Sequence, residues 1–362
     1  MRKLRSLRHW FYERLGGEAV FSFLRKKKVP LHRYSAWYFL GGITLFLFCI
    51  QVATGILLLL YYRPTPEEAF ESVRYITAQV PFGWLVRSIH AWAANLMILF
   101  LLAHMFSVAF LRAYRRPREL TWLSGVVLLA LVLTFGFSGY LLPWNTLAFF
   151  ATTVGTNLIG QIPWVGHWLM VFLRGGQDVT GATLTRFFAL HVALLPALAT
   201  GFLLLHLFLV QIFGISLPPS IEAEWEAQPE RRKEIAFFPD FMARELMAWY
   251  VALGLLGTLA AFRPWSLGTK ADPFAPAPAG IRPEWYFMFV FQTLKILPAY
   301  IGPLTGEAVG VMAFGLAALL WALLPFFDRQ AQGRRARWMT GVILFALGYI
   351  SAMTLYGYWA AR

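Results

Sequence analysis

The chain has 362 residues, 59% hydrophobic and only 14% charged, against about 25% charged in an ordinary soluble domain. That excludes a soluble globular protein and leaves room for roughly six to eight membrane spans with their loops. The single cysteine, Cys49, cannot form a disulfide within the chain or build a thiolate iron–sulfur or zinc site. The net charge of +14 would suit nucleic acid, but its placement follows membrane topology instead, so no nucleic-acid partner is expected.

Residues 1–33 hold ten Lys/Arg interleaved with Trp10, Phe11, Leu15, Phe21, Phe23 and Leu24. This composition predicts an amphipathic segment lying on anionic membrane lipid, with a disordered basic tail as the alternative. It is not the short apolar run of a cleavable signal peptide. Seven apolar runs follow, at 35–62, 88–111, 121–142, 187–213, 246–262, 306–327 and 340–359, each long enough to be read as a span. The predicted architecture is therefore an all-α membrane protein. Alternate sides of these spans carry 22 and 10 Lys/Arg. The positive-inside rule puts the N-terminus in the cytoplasm and the C-terminus outside.

The second span carries His90 and His104, and the fourth carries His191 and His206. A 14-residue separation is about 21 Å along a helix with an offset of roughly 40°, and a 15-residue separation is about 22.5 Å with roughly 60°. Each helix thus offers one His near either face of a bilayer, aimed broadly the same way. Histidine within a membrane helix is costly and marks a functional site. Both helices run from outside to inside, so His90 is expected to pair with His191 near the outer face and His104 with His206 near the inner face. Two stacked metal centres result, about 20 Å apart. With b-type haem each iron would take one imidazole from each helix, in a bundle formed by the first four spans.

The first and third spans repeat the spacing in glycine: Gly41 and Gly55, and Gly125 and Gly139. Glycine lets a flat ligand approach the backbone, the alternative being small-residue helix packing. Arg87 and Arg186, just outside His90 and His191, suit the propionates of an outer haem or act as interfacial anchors. Residues 143–186 are too polar and broken to span, and should form short helices on the outer surface. The loop between the fifth and sixth spans places Glu284 among Trp285, Tyr286 and Phe287. A carboxyl group there is expected to titrate high and to accept a proton from a bound hydroxyl. The charged linker 214–245 divides the chain into a surface segment 1–33, a four-span domain 34–215 and a three-span domain 216–362.

LGGITLFLFCIQVATG at 40–55, YYRPTPEEAFESVRYI at 61–76, FGWLVRSIHAW at 82–92, PRELTWLSGVV at 117–127, GYLLPW at 139–144, LTRFFALH at 184–191 and PEWY at 283–286 together resemble cytochrome b of the quinol–cytochrome c reductases, over nearly the whole chain. The first four spans are similar to the b/f branch, and residues 216–362 to its separate three-helix subunit, fused here. The resemblance implies that His90 and His191 ligate an outer, low-potential haem, and His104 and His206 an inner, high-potential one. It implies that Pro283, Glu284, Trp285 and Tyr286 line an outer quinol-oxidation site with Tyr140, Pro143 and Trp144 nearby, Glu284 taking one proton. It implies an inner quinone site where Glu245, beside Arg244, donates protons and Gln211 stands where the mitochondrial type has His. Ser107 replaces an Arg of many relatives, which Arg118 is expected to replace as the inner haem's charge partner. Phe39 occupies the position of the b/f cysteine that attaches a c-type haem, so no covalent haem is expected. Ala151 replaces a glycine on the outer surface helix, and weaker binding of methoxyacrylate-type inhibitors is expected.

The implied partners are a Rieske iron–sulfur protein, a cytochrome c-type subunit or acceptor and a second copy of the chain, in a bacterial cytoplasmic membrane. Two other readings share the buried histidines: a di-haem anchor of a dehydrogenase or hydrogenase, which has no reason for PEWY, and a transporter with a histidine proton relay. A reduced-minus-oxidised spectrum separates the three.

Overall fold

The computed structural model describes residues 26–328 and 333–360, together with residues 10, 12–14 and 22. The surface segment predicted at 1–33 lies largely outside these. Among the described residues, six helices are long and apolar enough to cross a bilayer. In chain order the elements are α1 (Phe39–Leu59), α2 (Ala69–Ala78), α3 (Gly83–Phe110), α4 (Glu119–Leu141), α5 (Thr146–Gly160) and α6 (Gly166–Arg174), followed by α7 (Gly181–Phe213), α8 (Pro219–Ala227), α9 (Met242–Phe262), α10 (Trp285–Ile296), α11 (Gly306–Ala322), α12 (Leu324–Phe327) and α13 (Arg334–Trp359). Strand β1 (Lys28–Pro30) pairs antiparallel with β2 (Glu234–Ala236). A small hairpin joins β3 (Tyr300–Ile301) to β4 (Leu304–Thr305).

Residues 143–186 contain the short helices α5 and α6. Asn145 caps α5, its Oδ1 accepting from the Ala148 N–H at 2.9 Å, which satisfies one free N–H of the first turn. Gly175, at φ 80°, closes α6 in the left-handed region that glycine tolerates. The fourth span begins six residues earlier than predicted, at Gly181, and contains a π turn at Leu190–Leu194. Pro196 follows directly. Its missing N–H cannot bond the carbonyl four residues back, and a widened turn absorbs that loss. The turn carries His191.

The sixth span departs from its predicted length. A continuous run over 306–327 is expected, but α11 stops at Ala322 after 17 residues. Pro325 explains the stop, since it offers no N–H to the Trp321 carbonyl and its ring crowds that group. The Trp122 indole N–H donates at 3.2 Å to both the Trp321 and Ala322 carbonyls, so the broken end stays paired.

In the core, α1 packs on α3 and α4 on α7. Ile43, Leu47, Leu96, Met97 and Leu101 from this bundle are buried with Ala252 and Leu256 of α9 and Tyr286 of α10. The four-span part and the remaining helices therefore share one apolar core, although the charged linker separates them in sequence. A buried polar joint ties them again just beyond the C-terminal end of α3. Arg112 lies 3.6 Å from Asp328 and donates to the Thr340 hydroxyl at 3.1 Å. The Tyr114 hydroxyl donates to the same Asp328 carboxylate.

Candidate functional site

The four predicted histidines face inward from α3 and α7, and each lies opposite one of the four predicted glycines. A Cβ built on Gly55 would sit 3.5 Å from the His90 ring, one on Gly41 3.1 Å from His104, one on Gly125 3.4 Å from His206 and one on Gly139 2.5 Å from His191. The repeat on α1 thus answers the repeat on α3, and the repeat on α4 answers that on α7. The His90 and His191 ring centroids are 6.5 Å apart. With metal–imidazole bonds of about 2.0–2.1 Å, and roughly another 1 Å from each nitrogen to its ring centre, two rings sharing a metal need centroids about 6 Å apart. The residues present therefore fit a bis-imidazole metal centre at this pair.

Hydroxyl groups set the tautomers. Thr54 Oγ1 is 2.9 Å from His90 Nδ1, Ser138 Oγ is 3.1 Å from His191 Nδ1 and Ser124 Oγ is 3.0 Å from His206 Nδ1. Each hydroxyl also donates to a carbonyl of its own helix, from Ile50, Phe135 and Thr121 respectively. Its proton is committed there, so it accepts the Nδ1–H of the histidine. That leaves Nε2 with a free lone pair, the state a metal ligand requires. The fourth histidine differs, because His104 Nδ1 is buried with no hydrogen-bond partner. In the other three cases the hydroxyl residue immediately precedes the facing glycine. Before Gly41 the residue is Leu40, which has nothing to offer. These three hydroxyls were not among the predicted site residues, yet a Thr-Gly or Ser-Gly pair one helix away from a histidine was visible in the sequence.

Beside the outer pair is a cavity of about 420 Å³. Its lining includes Ser138, Tyr140, Ala151, Pro283, Glu284 and Tyr286, so it borders the outer histidine through the Ser138 hydroxyl. Glu284 caps α10, and burial holds its carboxyl above the usual range. A Cβ at Gly136 would lie 2.6 Å from the Tyr286 hydroxyl, so that glycine makes the slot in which the phenol lies. Of the four residues expected to line it Trp285 does not, and of the three expected nearby Tyr140 is in the lining while Pro143 and Trp144 are not. Trp285 turns towards α3, where its indole N–H donates to Asn95 Oδ1 at 2.9 Å. The chain bends at Trp144 (φ 50°), which is 2% exposed and stacks edge-on against Phe149, in a cluster whose Phe187 also lines the cavity. Pro143 precedes that bend and is likewise absent from the lining.

The predicted arginines have backbone partners. Arg87 donates to the Trp265 carbonyl at 2.7 Å and the Ser266 carbonyl at 3.0 Å, holding the loop after α9. Arg186 bonds the Phe172 carbonyl and lies 5.9 Å over that ring, bracing α6. Arg118 donates to the Phe213 carbonyl at 2.8 Å and the Gly214 carbonyl at 3.3 Å, so its charge caps the end of α7. Near His104, Glu245 is buried on α9 and accepts from the Trp249 indole N–H at 3.1 Å. Its carboxylate fills the notch at Gly42, where a Cβ would be 1.7 Å from Oε1. Tandem Gly41 and Gly42 therefore serve a histidine and a carboxylate in turn. Gln211 accepts from Lys27, which lies 5.5 Å over the Phe237 ring.

The fold defines a polytopic helical membrane protein, with four half-buried histidines facing one another between its helices. The family profile described as Cytochrome b/b6/petB matches residues 25–214, and that described as Cytochrome b(C-terminal)/b6/petD matches residues 270–361. A cytochrome bc complex cytochrome b subunit from Chlorobaculum thiosulfatiphilum is 47% identical over 96% of this chain and 80% of its own length. Cytochrome b6 from Synechococcus elongatus is 46% identical over 58% of this chain and 97% of its own. A solved hyperthermophilic respiratory Complex III chain superposes with a TM-score of 0.84, at 30% identity, over 96% of this chain and 90% of that one. The chain belongs to the cytochrome b family, whose members are core subunits of the bc-type quinol–cytochrome c oxidoreductases. Membership implies b-type haem.

Proposed function

We propose that this chain oxidises quinol near the outer membrane face and reduces quinone near the cytoplasmic face, with proton release outside and uptake inside. His90 and His191 hold an outer b-type haem, and His104 and His206 an inner one, both non-covalent. Those haems, when bound, supply one-electron redox chemistry that no side chain of this protein provides. Glu284 accepts a proton from the quinol hydroxyl in the outer cavity, with Tyr286 and Tyr140 bounding the bound ring. Glu245 gives a proton at the inner side, a reading its buried notch beside Gly42 supports. A Rieske iron–sulfur protein is the expected acceptor of the other quinol electron, since one cysteine cannot build such a cluster here. A cytochrome c-type acceptor and a second copy of the chain complete the assembly in a bacterial cytoplasmic membrane, the N-terminus in the cytoplasm.

The observation that carries this reading is the contact between the two parts of the outer site. Ser138 both bonds the Nδ1 of His191 and lines the cavity that holds Glu284. The test is quinol-dependent reduction in the assembled complex carrying Glu284→Gln. Loss of a general base costs about 100-fold or more, so the variant should reduce slowly while its haem spectrum stays intact. Parental rates in that variant would contradict the reading.

A further inference from the structure

Glu284 is half-buried in the cavity lining, and a proton it accepts must leave before the next turnover. Three phenols stand around it. Tyr140 and Tyr286 line the same cavity as Glu284, and Tyr358 lies beneath Arg282, two residues before Glu284. Tyr286 is 8% exposed and Tyr140 lines the cavity, whereas Tyr358 is 42% exposed. Tyr358 belongs to the last helix, α13, which packs along α10 and is registered against it at two points. The Tyr349 hydroxyl is 2.7 Å from the Thr293 hydroxyl. At Gly357 the missing Cβ makes room for Met288, whose Cγ would lie 2.7 Å away. This register brings the next residue, Tyr358, to the start of α10, where Glu284 is the cap. Arg282 lies 5.7 Å over the Tyr358 ring. A fixed positive charge there disfavours keeping a proton at the rim and favours its release to water.

We propose that Tyr358 is the outlet of the quinol cavity, relaying the proton taken by Glu284 to the outer water beside Arg282. This rests on the reading of Glu284 given above. The relay balances without electron transfer. The quinol O–H bond breaks as an O–H bond forms on Glu284. Glu284 then gives that proton to the Tyr358 oxygen while the phenol's own proton passes to water, and the phenol returns by rotation. Tyr358 touches no substrate and is a positioning residue.

The experiment uses the intact complex with Tyr358→Phe, Glu284→Gln and the double variant. Tyr358→Phe should slow quinol oxidation roughly 5–20-fold, less than loss of the base itself. It should also enlarge the solvent deuterium isotope effect, and shift the infrared band of the protonated Glu284 carboxyl. In the Glu284→Gln background it should cost nothing further. A Tyr358→Phe complex with the parental rate, isotope effect and band overturns the outlet, as does a loss that simply adds to that of Glu284→Gln. If instead Glu284→Gln itself oxidises quinol at the parental rate, the assignment of Glu284 fails and the outlet falls with it.

Discussion

The outer and inner histidine pairs are built on the same repeat but finished differently. In the outer pair both Nδ1 atoms meet a hydroxyl, from Thr54 and Ser138. In the inner pair only His206 does, from Ser124, while His104 Nδ1 has no partner. A hydrogen bond accepted from Nδ1–H makes the imidazole a more basic, more electron-donating ligand. An iron held by two such rings is stabilised in its oxidised state relative to one held by a ring that lacks the bond. The outer site should therefore have the lower potential and the inner site the higher, the order that carries electrons inward. The asymmetry traces to one residue, Leu40, standing where the other three positions have Ser or Thr.

The largest test of this comparison removes a ligand. His191→Leu should abolish the outer haem and spare the inner, and His104→Leu should do the reverse, each visible as loss of one redox component in the spectrum. Loss of both haems in either variant would mean that the two halves do not assemble independently.

Glu284 gives the next effect, through pH. Burial holds its carboxyl above the usual Glu value of about 4.3. Only the deprotonated form accepts a proton, so quinol oxidation should rise as pH climbs through the raised value, and Glu284→Gln should flatten that limb. The stability contribution runs the other way. The folded protein holds this proton more tightly than the unfolded chain, so stability is full below the unfolded value and falls as pH rises through the folded one.

Glycine geometry sharpens the comparison within the outer pair. A Cβ at Gly139 would press to 2.5 Å on the His191 ring, but one at Gly55 would sit at an ordinary 3.5 Å from His90. Gly139→Ala should lower outer haem occupancy while Gly55→Ala leaves it near parental, as haem content per polypeptide would show. The smallest effect is electronic. Ser138→Ala should raise the outer potential, and Leu40→Ser, which offers His104 a hydroxyl, should lower the inner one. Each shift should be about 20–60 mV, where 59 mV is a tenfold change for one electron. Equal potentials in the parental protein would remove the basis for the comparison.

Much of this was legible in the sequence, because the decisive signals are local. Span length, the His and Gly repeats and the Lys/Arg bias need only helix geometry and hydropathy, and the predicted ends of α1, α3, α4 and α7 fall within six residues of the observed ones. Pro325 and Pro196 could have marked the end of α11 and the π turn, since their lost hydrogen bonds are fixed by sequence alone. What was not legible depends on distant partners. Trp285 leaves the cavity because Asn95, 190 positions earlier, accepts its indole N–H. Trp144, expected only nearby, stands behind the lining because the backbone reverses there and Phe149 receives the ring. The Arg112–Asp328 joint and the seating of Glu245 in the Gly42 notch likewise join segments that only tertiary packing brings together.

The central claim is that four imidazoles hold two b-type haems in unlike surroundings. Potentiometric titration of the purified complex, with extraction of haem and its ratio to this polypeptide, tests it most directly. Two acid-extractable b haems per chain, titrating as two one-electron steps with the component lost in His191→Leu at the lower potential, is the predicted result. A single haem, a haem that stays covalently attached, or the lower potential assigned to the His104 and His206 pair would contradict it.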